Sequence, residues 1–569
     1  MLKCLIETAR GLTDADLVIK NAQLVNVLSE EIYTTDIAIT NDMIVGLGKC
    51  YKGKQEIDAN GAYVVPSFID GHVHLESSMM LAKEFASAVL PTGTTCVVTD
   101  PHEIANVLGI NGINFMMETT KNIGLDVYFT LPSCVPASPF ETSGYVLSAD
   151  ALALLIENPR VLGLAEMMNY VGVINSEDKE IAKLEVAQKC EKRIDGHAPK
   201  LCGKDLCAYV VSGIKSDHEC TSPEEALEKM RLGLNVMIRE GSAARDLDSL
   251  IPLLKQNNTR KCIFVTDDRH PTDLKEHING MVRRVVEAGV DPIKAIQCAS
   301  LNTAEYFGLK KVGAVAPGYK ANLLILPDLK SFKPHYVVKD GKIVAKDGVL
   351  TSSITDVFIP SYINSINIEK LTLEDFVITP KSNRVKAIEI IPEQLITKET
   401  ISEIKIKDNN AVSNLENDTL KICVIERHHA FKSIGKGFIK GFNLKSGAIA
   451  STVAHDSHNM IVIGTNDNDM FVAAQELIKC GGGKIVVNNG EVVAKLALPI
   501  AGLISDKTFV EVLDECYSLN DAIKIIGSDL ENPFMTMAFL SLSVIPDLKI
   551  TDKGVFSAKI FDFIDIFDC

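Results

Sequence analysis

The chain has 569 residues, of which 46% are hydrophobic and 23% charged, so it is long enough for about two to four globular domains. Its 74 acidic residues outnumber its 58 basic residues and leave a formal net charge of −16. This excess argues against a nucleic-acid-binding surface and against binding to an anionic membrane. No apolar run approaches the roughly 18 residues needed to span a bilayer, and Glu7 and Arg10 interrupt the only N-terminal run that could suggest a signal peptide.

The 14 cysteines are scattered through the chain, mostly within apolar runs. This distribution predicts reduced thiols in a cytoplasmic protein rather than a disulfide framework. Cys202 and Cys207 have the spacing closest to a metal-binding pair, but no second pair accompanies them. We therefore do not expect a cysteine-ligated metal site.

Short strand-like runs separated by turn signals make up the first 65 residues, at Leu17–Val25, Asp36–Ile39 and Met43–Gly48. The same pattern returns in residues 310–360, with a strand-like run over residues 315–326. Asp340-Gly341 then predicts a hairpin turn. We predict that residues 1–65 and 310–360 pair into one small β domain.

Residues 66–309 alternate apolar strands with amphipathic helices. The predicted strands end near Asp70, Asp100, Ser133, Glu166, His197, His218, Glu240 and Asp267, and the predicted helices include Ala105–Gly124, Glu177–Cys190, Ser222–Leu232 and Ala244–Gln256. Eight such units over about 240 residues predict a (β/α)8 TIM-like barrel. A doubly wound parallel sheet is the alternative. The barrel is favoured because most of the strands end on a potential ligand or base, where barrel enzymes carry their catalytic groups.

Residues 361–569 predict a C-terminal α+β domain. Strand-like runs at Leu420–Glu426, Met460–Gly464 and Lys484–Asn488 alternate with a helix-like run at Asp469–Cys480, and the polar interval Lys405–Asp418 predicts a surface loop. Gly435-Lys436-Gly437 and Gly481-Gly482-Gly483 lack a complete phosphate-binding fingerprint, so we expect tight turns there.

Metal-ligating side chains recur at the ends of the predicted barrel strands. His72 and His74 are two residues apart on a strand, so both imidazoles face one side and can reach one ion. A His-x-His pair is weak evidence alone, but later strands end on further ligands. The predicted ligand set is His72, His74, Glu166, His197, His218 and Asp267. Four imidazoles and two carboxylates suit two divalent ions bridged by a carboxylate and a water or hydroxide.

Two members of this set have predicted catalytic roles. A carboxylate can bind one ion through each oxygen, so Glu166 is the expected bridge. Asp267 is placed to take a proton from the bound water and pass it to a leaving nitrogen. Asp268 is the neighbouring alternative, but strand alternation turns it to the other face.

Asp100 and His102 also follow a predicted strand. They are candidates for orienting the ligands, binding substrate or holding an additional ion. The alternative for Asp100 is to cap the helix that follows.

Arg239, Glu240 and Ser242 are candidate substrate-binding residues at the end of the seventh strand, with ordinary barrel salt bridges as the alternative. His455 and His458 lie in a dense polar segment of the C-terminal domain. This segment predicts a loop that reaches the site or lies at a subunit contact. A surface turn is the alternative.

These patterns together resemble the amidohydrolase superfamily of metal-dependent barrel hydrolases and, within it, the bacterial adenine deaminase family. The segments that carry the resemblance are Asp70–His74, His74–Met80, Asp100–Ile104, Gly163–Tyr170, Ile238–Arg245 and Thr266–Arg269, with Ala454–Asn459 in the C-terminal domain. The resemblance covers nearly the whole chain. Many relatives carry a carboxylated lysine at the end of strand four, where this chain has Glu166, as adenine deaminases do.

The resemblance implies hydrolytic deamination of adenine to hypoxanthine and ammonia, in purine salvage or adenine catabolism. It implies two Mn²⁺ or Fe²⁺ ions in preference to Zn²⁺, and attack of metal-bound hydroxide on C6 of the purine. Asp267 first accepts the proton of the water and later protonates the departing amine. The expected partners are the small-molecule substrate and further copies of the chain, in a dimer or larger homo-oligomer.

Three other functions are weighed against this one. A cyclic-amide hydrolase of the dihydroorotase or hydantoinase type would use the same ions, but Glu166 and the segment Asp100–Glu103 argue against it. A deaminase of another aminopurine would share the mechanism. A non-catalytic scaffold would be expected to lack ligands, and none of the six is missing.

Overall fold

The chain begins with a short helix and five strands that form the first part of a mixed sheet. The computed structural model describes residues 2–256, 258–354, 365–392 and 394–568. The first elements are α1 (Leu2–Ala9), β1 (Ala15–Asn26), β2 (Glu31–Thr40), β3 (Met43–Leu47), β4 (Gly53–Asp58) and β5 (Tyr63–Pro66). The three strands predicted in this part correspond to β1, β2 and β3, whereas β4 was not predicted because its polar sequence has no apolar alternation.

The middle of the chain alternates strands and helices. Its strands are β6 (Phe68–His74), β7 (Thr94–Thr99), β8 (Asp126–Leu131), β9 (Val161–Met167), β10 (Arg193–Gly196), β11 (Ser216–Asp217), β12 (Asn235–Arg239), β13 (Cys262–Val265) and β14 (Asp267–Asp268). Its helices are α2 (Ala82–Val89), α3 (His102–Leu108), α4 (Ile110–Thr119), α5 (Ala149–Ala153), α6 (Tyr170–Ile174), α7 (Asp178–Lys189), α8 (Gly203–Val211), α9 (Pro223–Arg231), α10 (Leu247–Gln256), α11 (Ile278–Glu287), α12 (Pro292–Cys298) and α13 (Leu301–Phe307).

Two parallel sheets in this region bring the strand ends to one side of the molecule. One has the order β10-β9-β8-β7-β6-β14 and the other the order β11-β12-β13. The backbone N–H of Lys215, just before β11, donates to the carbonyl of Ile194 in β10 at 2.9 Å. At the other end, β14 follows β13 after one residue and pairs in parallel with β6. The carboxyl ends of these strands therefore share one edge.

Four strands after the middle segment complete the first sheet: β15 (Leu323–Leu326), β16 (Tyr336–Lys339), β17 (Lys342–Lys346) and β18 (Val349–Leu350). The sheet order is β18-β17-β16-β15-β5-β1-β2-β3, with β4 beside β1. Because β15 pairs antiparallel with β5, strands from both flanks share one sheet. Asp340 and Gly341 form the turn between β16 and β17, as the sequence predicts.

The C-terminal part is built around an eight-stranded sheet. Its elements are β19 (Arg384–Ile390), β20 (Thr397–Glu403), β21 (Lys405–Lys407), β22 (Asn410–Val412), β23 (Leu420–Ile425), β24 (Ile434–Lys440), β25 (Ala448–Ser451), β26 (Met460–Gly464), α14 (Asp467–Cys480), β27 (Gly483–Asn488), β28 (Glu491–Ala497), α15 (Phe509–Ile525), α16 (Pro533–Ala538), β29 (Leu548–Thr551), β30 (Gly554–Ser557) and β31 (Asp562–Phe563). The sheet order is β20-β19-β24-β23-β26-β25-β27-β28. The predicted domain boundary between residues 360 and 361 lies outside the described residues.

Four local predictions were wrong. The predicted helix Ala105–Gly124 is two helices, because Gly109 takes a positive φ of 58° between α3 and α4. The predicted run over residues 315–326 forms a strand only in β15, after a turn at Gly318. The interval predicted as a loop contains the hairpin β21–β22, whose strands have three residues each and are too short to show an alternating pattern in the sequence. Gly435-Lys436-Gly437 lies inside β24 rather than in a turn.

The described residues share an extended hydrophobic core, and their cysteines are unpaired. One hydrophobic cluster runs from Phe85 of α2 and Phe129 of β8 to Val424 and Ile461 of the C-terminal sheet. The thirteen cysteines in the described ranges, which include Cys202 and Cys207, are all free thiols. Within the same ranges, every helix is too short or too polar to cross a membrane.

Candidate metal centre and active site

Six side chains from five strand ends meet at the shared carboxyl edge of the parallel sheets. These are the predicted ligands: His72 and His74 at the end of β6, Glu166 in β9, His197 after β10, His218 after β11 and Asp267 in β14. All but His197 are at least nine-tenths buried. The strand-end pattern of the sequence therefore predicted a real spatial cluster.

The first half of the cluster groups two imidazoles with Asp267. Its Oδ1 lies 2.9 Å from Nε2 of His74 and 3.3 Å from Nε2 of His72. The Nδ1 of His74 lies 2.9 Å from the backbone carbonyl oxygen of Asp100. That carbonyl accepts a hydrogen bond from Nδ1–H, which leaves the lone pair of Nε2 for a ligand role.

The second half groups two other imidazoles with Glu166. Its Oε2 lies 2.6 Å from Nδ1 of His197 and 3.2 Å from Nε2 of His218. Its Oε1 faces the first half, 3.5 Å from Nε2 of His74. The two oxygens of one carboxylate thus face two separate histidine pairs, which is the arrangement a bridging ligand requires.

The donor set fits divalent metal ions. Nε2 of His72 is buried and has no hydrogen-bond partner among the described residues. Its nearest polar neighbours are carboxylate oxygens of Asp267 and Glu166, at 3.3 and 3.9 Å. A buried imidazole nitrogen left unpaired beside carboxylates is costly unless a proton or a cation lies between them. Imidazole and carboxylate together are typical ligands of Mn, Fe and Zn.

The charges of the cluster also favour binding of divalent metal ions. Burial raises the pKa of Glu166, but the charges and hydrogen bonds of His218 and His197 outweigh it and hold that pKa well below its ordinary value. Burial likewise raises the pKa of Asp267, and the neighbouring His72, His74 and Arg239 more than reverse it. Both carboxyls therefore remain ionised at neutral pH, as metal ligands must be.

Asp267 is held in an unusual backbone conformation. Its φ is 56°, in the left-handed region that non-glycine residues occupy at a cost of about 1–3 kcal/mol. Its Oδ2 accepts a hydrogen bond at 3.3 Å from Nη1 of Arg239. Asp268 is directed elsewhere and accepts a 2.5 Å hydrogen bond from Oγ of Ser77. Oδ1 of Asp267 is therefore the oxygen directed at the histidines.

Asp100 and His102 lie next to the cluster. Nδ1 of His102 lies 3.0 Å from Oδ2 of Asp100 and 3.4 Å from Oε1 of Glu166. With His74, these residues form a further group that could hold an ion. The helix-capping alternative does not occur, because Pro101 is the first residue before α3 and no side chain caps that helix.

Arg239, Glu240 and Ser242 lie at or just after the end of β12, but protein partners engage them. Arg239 contacts Asp246, Glu219 and Asp267. Glu240 pairs with Arg284, and Oγ of Ser242 donates to Asp273. These contacts match the salt-bridge alternative, and substrate binding by the three residues stays a prediction.

His455 and His458 contact helix α3, next to the candidate metal centre. Nδ1 of His455 lies 2.8 Å from Oε1 of Glu103, and Nε2 of His458 contacts Oε2 of the same carboxylate. All three residues are buried. The surface-turn alternative is therefore wrong, because the loop packs against the start of α3.

Two residues of the site were not assigned from the sequence. Glu219 lies 3.4 Å from Nε2 of His218 and also contacts Arg239. Glu103 links His102, 3.3 Å away, to the C-terminal histidines. The only available signal was adjacency, since each glutamate directly follows a candidate histidine.

Two regions of the chain match known protein families. Residues 63–344 match the amidohydrolase family, and residues 394–562 match the adenine deaminase C-terminal domain. The chain is 46% identical over 568 residues to adenine deaminase 2 of Carboxydothermus hydrogenoformans, with 99% of each chain covered. It is 47% identical over 564 residues to adenine deaminase of Clostridium acetobutylicum, covering 98% of this chain and 99% of the relative. It is 44% identical over 567 residues to adenine deaminase of Kosmotoga olearia, covering 99% of this chain and 98% of the relative.

Proposed function

The chain belongs to the adenine deaminase family and hydrolyses adenine to hypoxanthine and ammonia, and we propose that His72, His74, Glu166, His197, His218 and Asp267 carry this reaction. The observation that supports this site is the division of the six residues into two halves. The oxygens of Glu166 face both halves, and Oδ1 of Asp267 faces only one. This division supports Glu166 as the bridging ligand and Asp267 as the residue that moves a proton.

Two divalent ions are the cofactors that we propose for these residues. His72, His74 and Asp267 would hold one ion, His197 and His218 the other, and Glu166 would contact both. Bound ions of this kind acidify a water molecule and polarise the reacting carbon–nitrogen bond. We favour Mn²⁺ or Fe²⁺ over Zn²⁺ because the family resemblance implies these ions, and the imidazole and carboxylate ligands suit them.

The chain's own residues account for proton movement and charge. Asp267 takes a proton from the attacking water on Oδ1 and gives it to the departing N6 amine, so that water and adenine yield hypoxanthine and ammonia. Arg239 fixes Oδ2 of Asp267 at 3.3 Å and so keeps Oδ1 directed at the reacting atoms. Glu219 holds the same guanidinium in place. The buried surroundings strengthen each of these interactions.

The larger architecture that we propose follows from the strand contacts. The two parallel sheets would close into one (β/α)8 barrel of residues 66–309, with the remaining segments forming the small β domain and the C-terminal domain. The junctions at Lys215–Ile194 and at β14–β6 support closure. We also propose a cytoplasmic homo-oligomer. The free thiols support the compartment, and the oligomer rests on the family resemblance.

The decisive experiment measures ammonia release and the ultraviolet change from adenine to hypoxanthine, with protein loaded with Mn²⁺ or Fe²⁺ under reducing conditions. Metal-stripped protein is the control, and dihydroorotate, hydantoin and other aminopurines are run in parallel. We expect turnover of adenine that is lost on stripping and restored by reloading. Turnover of a cyclic amide or another aminopurine without turnover of adenine would overturn the substrate assignment.

A further inference from the structure

A buried carboxylate joins the C-terminal part of the chain to the candidate metal centre. Glu103, 2% exposed, is the second residue of α3 and directly follows His102. Its Oε1 lies 2.8 Å from Nδ1 of His455 and 3.3 Å from Nε2 of His102, and its Oε2 contacts Nε2 of His458. One side chain therefore contacts two histidines from a segment some 350 residues away and a third beside Glu166.

Hydrogen bonding fixes how His458 uses its ring. The backbone N–H of Ala454 donates to Nδ1 of His458 at 3.2 Å. A neutral imidazole whose Nδ1 accepts carries its proton on Nε2, so His458 donates that proton to Glu103. The Nε2 atom then has no lone pair for a cation. His458 is thus hydrogen-bonded to one oxygen of Glu103, and His455 makes a close charge contact with the other, so the three residues form a clamp rather than a third ion site.

His455 is fixed on three sides. Nδ1 faces Glu103, the backbone N–H donates to the carbonyl of Ala538 at 2.9 Å, and the ring stacks on Phe539 with centroids 4.5 Å apart and planes 17° apart. Because Nδ1 faces Glu103, Nε2 lies on the opposite side of the ring. No residue in the described ranges forms a hydrogen bond with it.

The surroundings of His455 lie over the carboxyl ends of the parallel strands. Phe539 belongs to an apolar group with Met535 and Leu542, and this group packs against Met168 after β9 and Ala243 after β12. This apolar group lies on the same side of the molecule as the candidate metal centre, and an apolar surface suits the face of a planar purine ring. A purine offers acceptor nitrogens on the edge remote from the reacting amine. Burial lowers the pKa of His455, but the charges of Glu103 and Asp268 outweigh it and raise that pKa to about 9, so both ring nitrogens carry protons at neutral pH and Nε2–H can donate to one of these acceptors.

We propose that His455 contacts the purine ring and that Glu103 is the positioning residue that holds His455 in place, so that the C-terminal part of the chain completes the active site. This inference rests on the proposed adenine deamination. It adds a substrate-binding role for a residue outside the barrel. Loss of His455 would weaken the binding of adenine and leave the six ligands intact.

The test is a double-mutant cycle in metal-loaded protein. We expect His455→Gln to raise KM for adenine roughly tenfold, as for one lost hydrogen bond to substrate, with a smaller change in kcat. Glu103→Gln should raise KM by a similar factor. In the His455→Gln background the Glu103→Gln change should have almost no further effect, because Glu103 acts through His455. His335→Gln, which alters a half-exposed histidine paired with Asp347, is the matched control and should change neither constant.

Several results would overturn the proposal. Independent, multiplicative effects of Glu103→Gln and His455→Gln on KM would show that Glu103 does not act through His455. A third metal ion per parent chain, lost in Glu103→Gln, would replace the clamp with an ion site. If His455→Gln does not fold, Phe539→Leu removes the stacking ring, and an unchanged KM would then refute the contact. The parent assay with adenine separates these failures from a failure of the proposed function.

Discussion

At the scale of single residues, the candidate site depends on the direction in which one carboxylate oxygen points. Asp267 adopts a φ of 56°, and Arg239 contacts only its Oδ2. Both features turn Oδ1 toward His72 and His74. A strained backbone persists where surrounding contacts over-determine it, which is the situation of a pre-organised proton acceptor.

Asp267→Asn tests this acceptor role. The amide can still offer an oxygen to a metal ion but cannot accept the proton. We therefore expect kcat for adenine to fall by about 10²- to 10⁴-fold, the usual contribution of general acid–base catalysis. Steady-state kinetics and metal analysis of the same preparation provide the measurement. Asp248→Asn, at an exposed carboxylate paired with Arg284, is the matched control and should retain full activity. A kcat above a tenth of the parent value, with both ions bound, would remove Asp267 from the proposed role.

Sequence periodicity predicted the main cluster because strand alternation and strand ends are local properties. His72 and His74 share a face by alternation, and parallel strands bring their carboxyl ends together. The same logic could not predict Glu103 or Glu219. Their roles depend on which loop or helix packs next to them, and a lone glutamate after a histidine carries no such information.

At the scale of elements, helix α9 fixes the loops that carry two of the candidate ligands. Lys229 is fully buried, and its Nζ donates to the carbonyl of Ala198 at 2.8 Å, to Asp217 at 3.1 Å and to Glu225 at 2.8 Å. Oδ2 of Asp217 also accepts a hydrogen bond from the N–H of Ala198. Ala198 follows His197 and Asp217 precedes His218, so one ammonium group ties both ligands to the helix.

Lys229→Met should therefore destabilise the protein strongly. It leaves Asp217 buried without a cation, which costs about 3–5 kcal/mol. With an unfolding entropy of about 2.1 cal/mol/K per residue, this corresponds to a fall of roughly 2–4 °C in the midpoint of thermal unfolding for a chain of this size. Scanning calorimetry of the metal-loaded protein measures this. Lys189→Met, on the exposed face of α7, is the control and should shift the midpoint by less than about 1 °C. Adding Asp217→Asn to Lys229→Met should recover part of the loss, and a midpoint unchanged by Lys229→Met would refute the anchoring role.

Elements with a strong apolar pattern were predictable, and those set by tertiary contact were not. Strand β26 occurs where its apolar run predicts it. The glycines around Gly435 predicted a turn, yet Gly435 lies in β24. The carbonyl oxygen of Thr551 packs so close to Gly435 that a Cβ atom would lie 1.8 Å from that oxygen. The glycine permits close approach of two chain segments rather than a turn.

At the scale of the whole molecule, the C-terminal part and the parallel sheets form one packed body. They share a hydrophobic cluster, and the loop after β8 is tied to the C-terminal part by polar contacts. Thr142 donates from its N–H and its hydroxyl to Asp552 at 2.9 and 2.7 Å, and Oγ1 of Thr551 donates to the carbonyl of Phe140 at 2.7 Å. Contacts between segments some 400 residues apart leave no local pattern, so the sequence predicted separate regions but not how they dock.

Glu141 lies in this contact region and makes it sensitive to pH. The side chain is buried, and neither of its oxygens has a hydrogen-bond partner in the described part of the chain. Burial, together with the charge of Asp456, raises its pKa to about 8, from an ordinary value of 4.5. A carboxyl whose folded-state pKa is raised holds its proton in the folded chain and loses it in the unfolded chain between these values. Its contribution to stability is therefore full below pH 4.5 and lost as the pH rises through 8.

Glu141→Gln mimics the protonated carboxyl at every pH. We expect the thermal midpoint of this variant, relative to the parent, to rise between pH 5.5 and pH 8.5, because the parent loses up to about 1.4 kcal/mol per pH unit from this group across that window. Thermal unfolding of both proteins at several pH values gives the difference directly. Glu118→Gln, at an exposed glutamate paired with Lys121, should give a difference that does not vary with pH. If the Glu141→Gln difference is constant or shrinks as the pH rises, Glu141 is ionised in the folded protein at neutral pH. The packing between the loop after β8 and the C-terminal part would then have to hold a charged carboxylate.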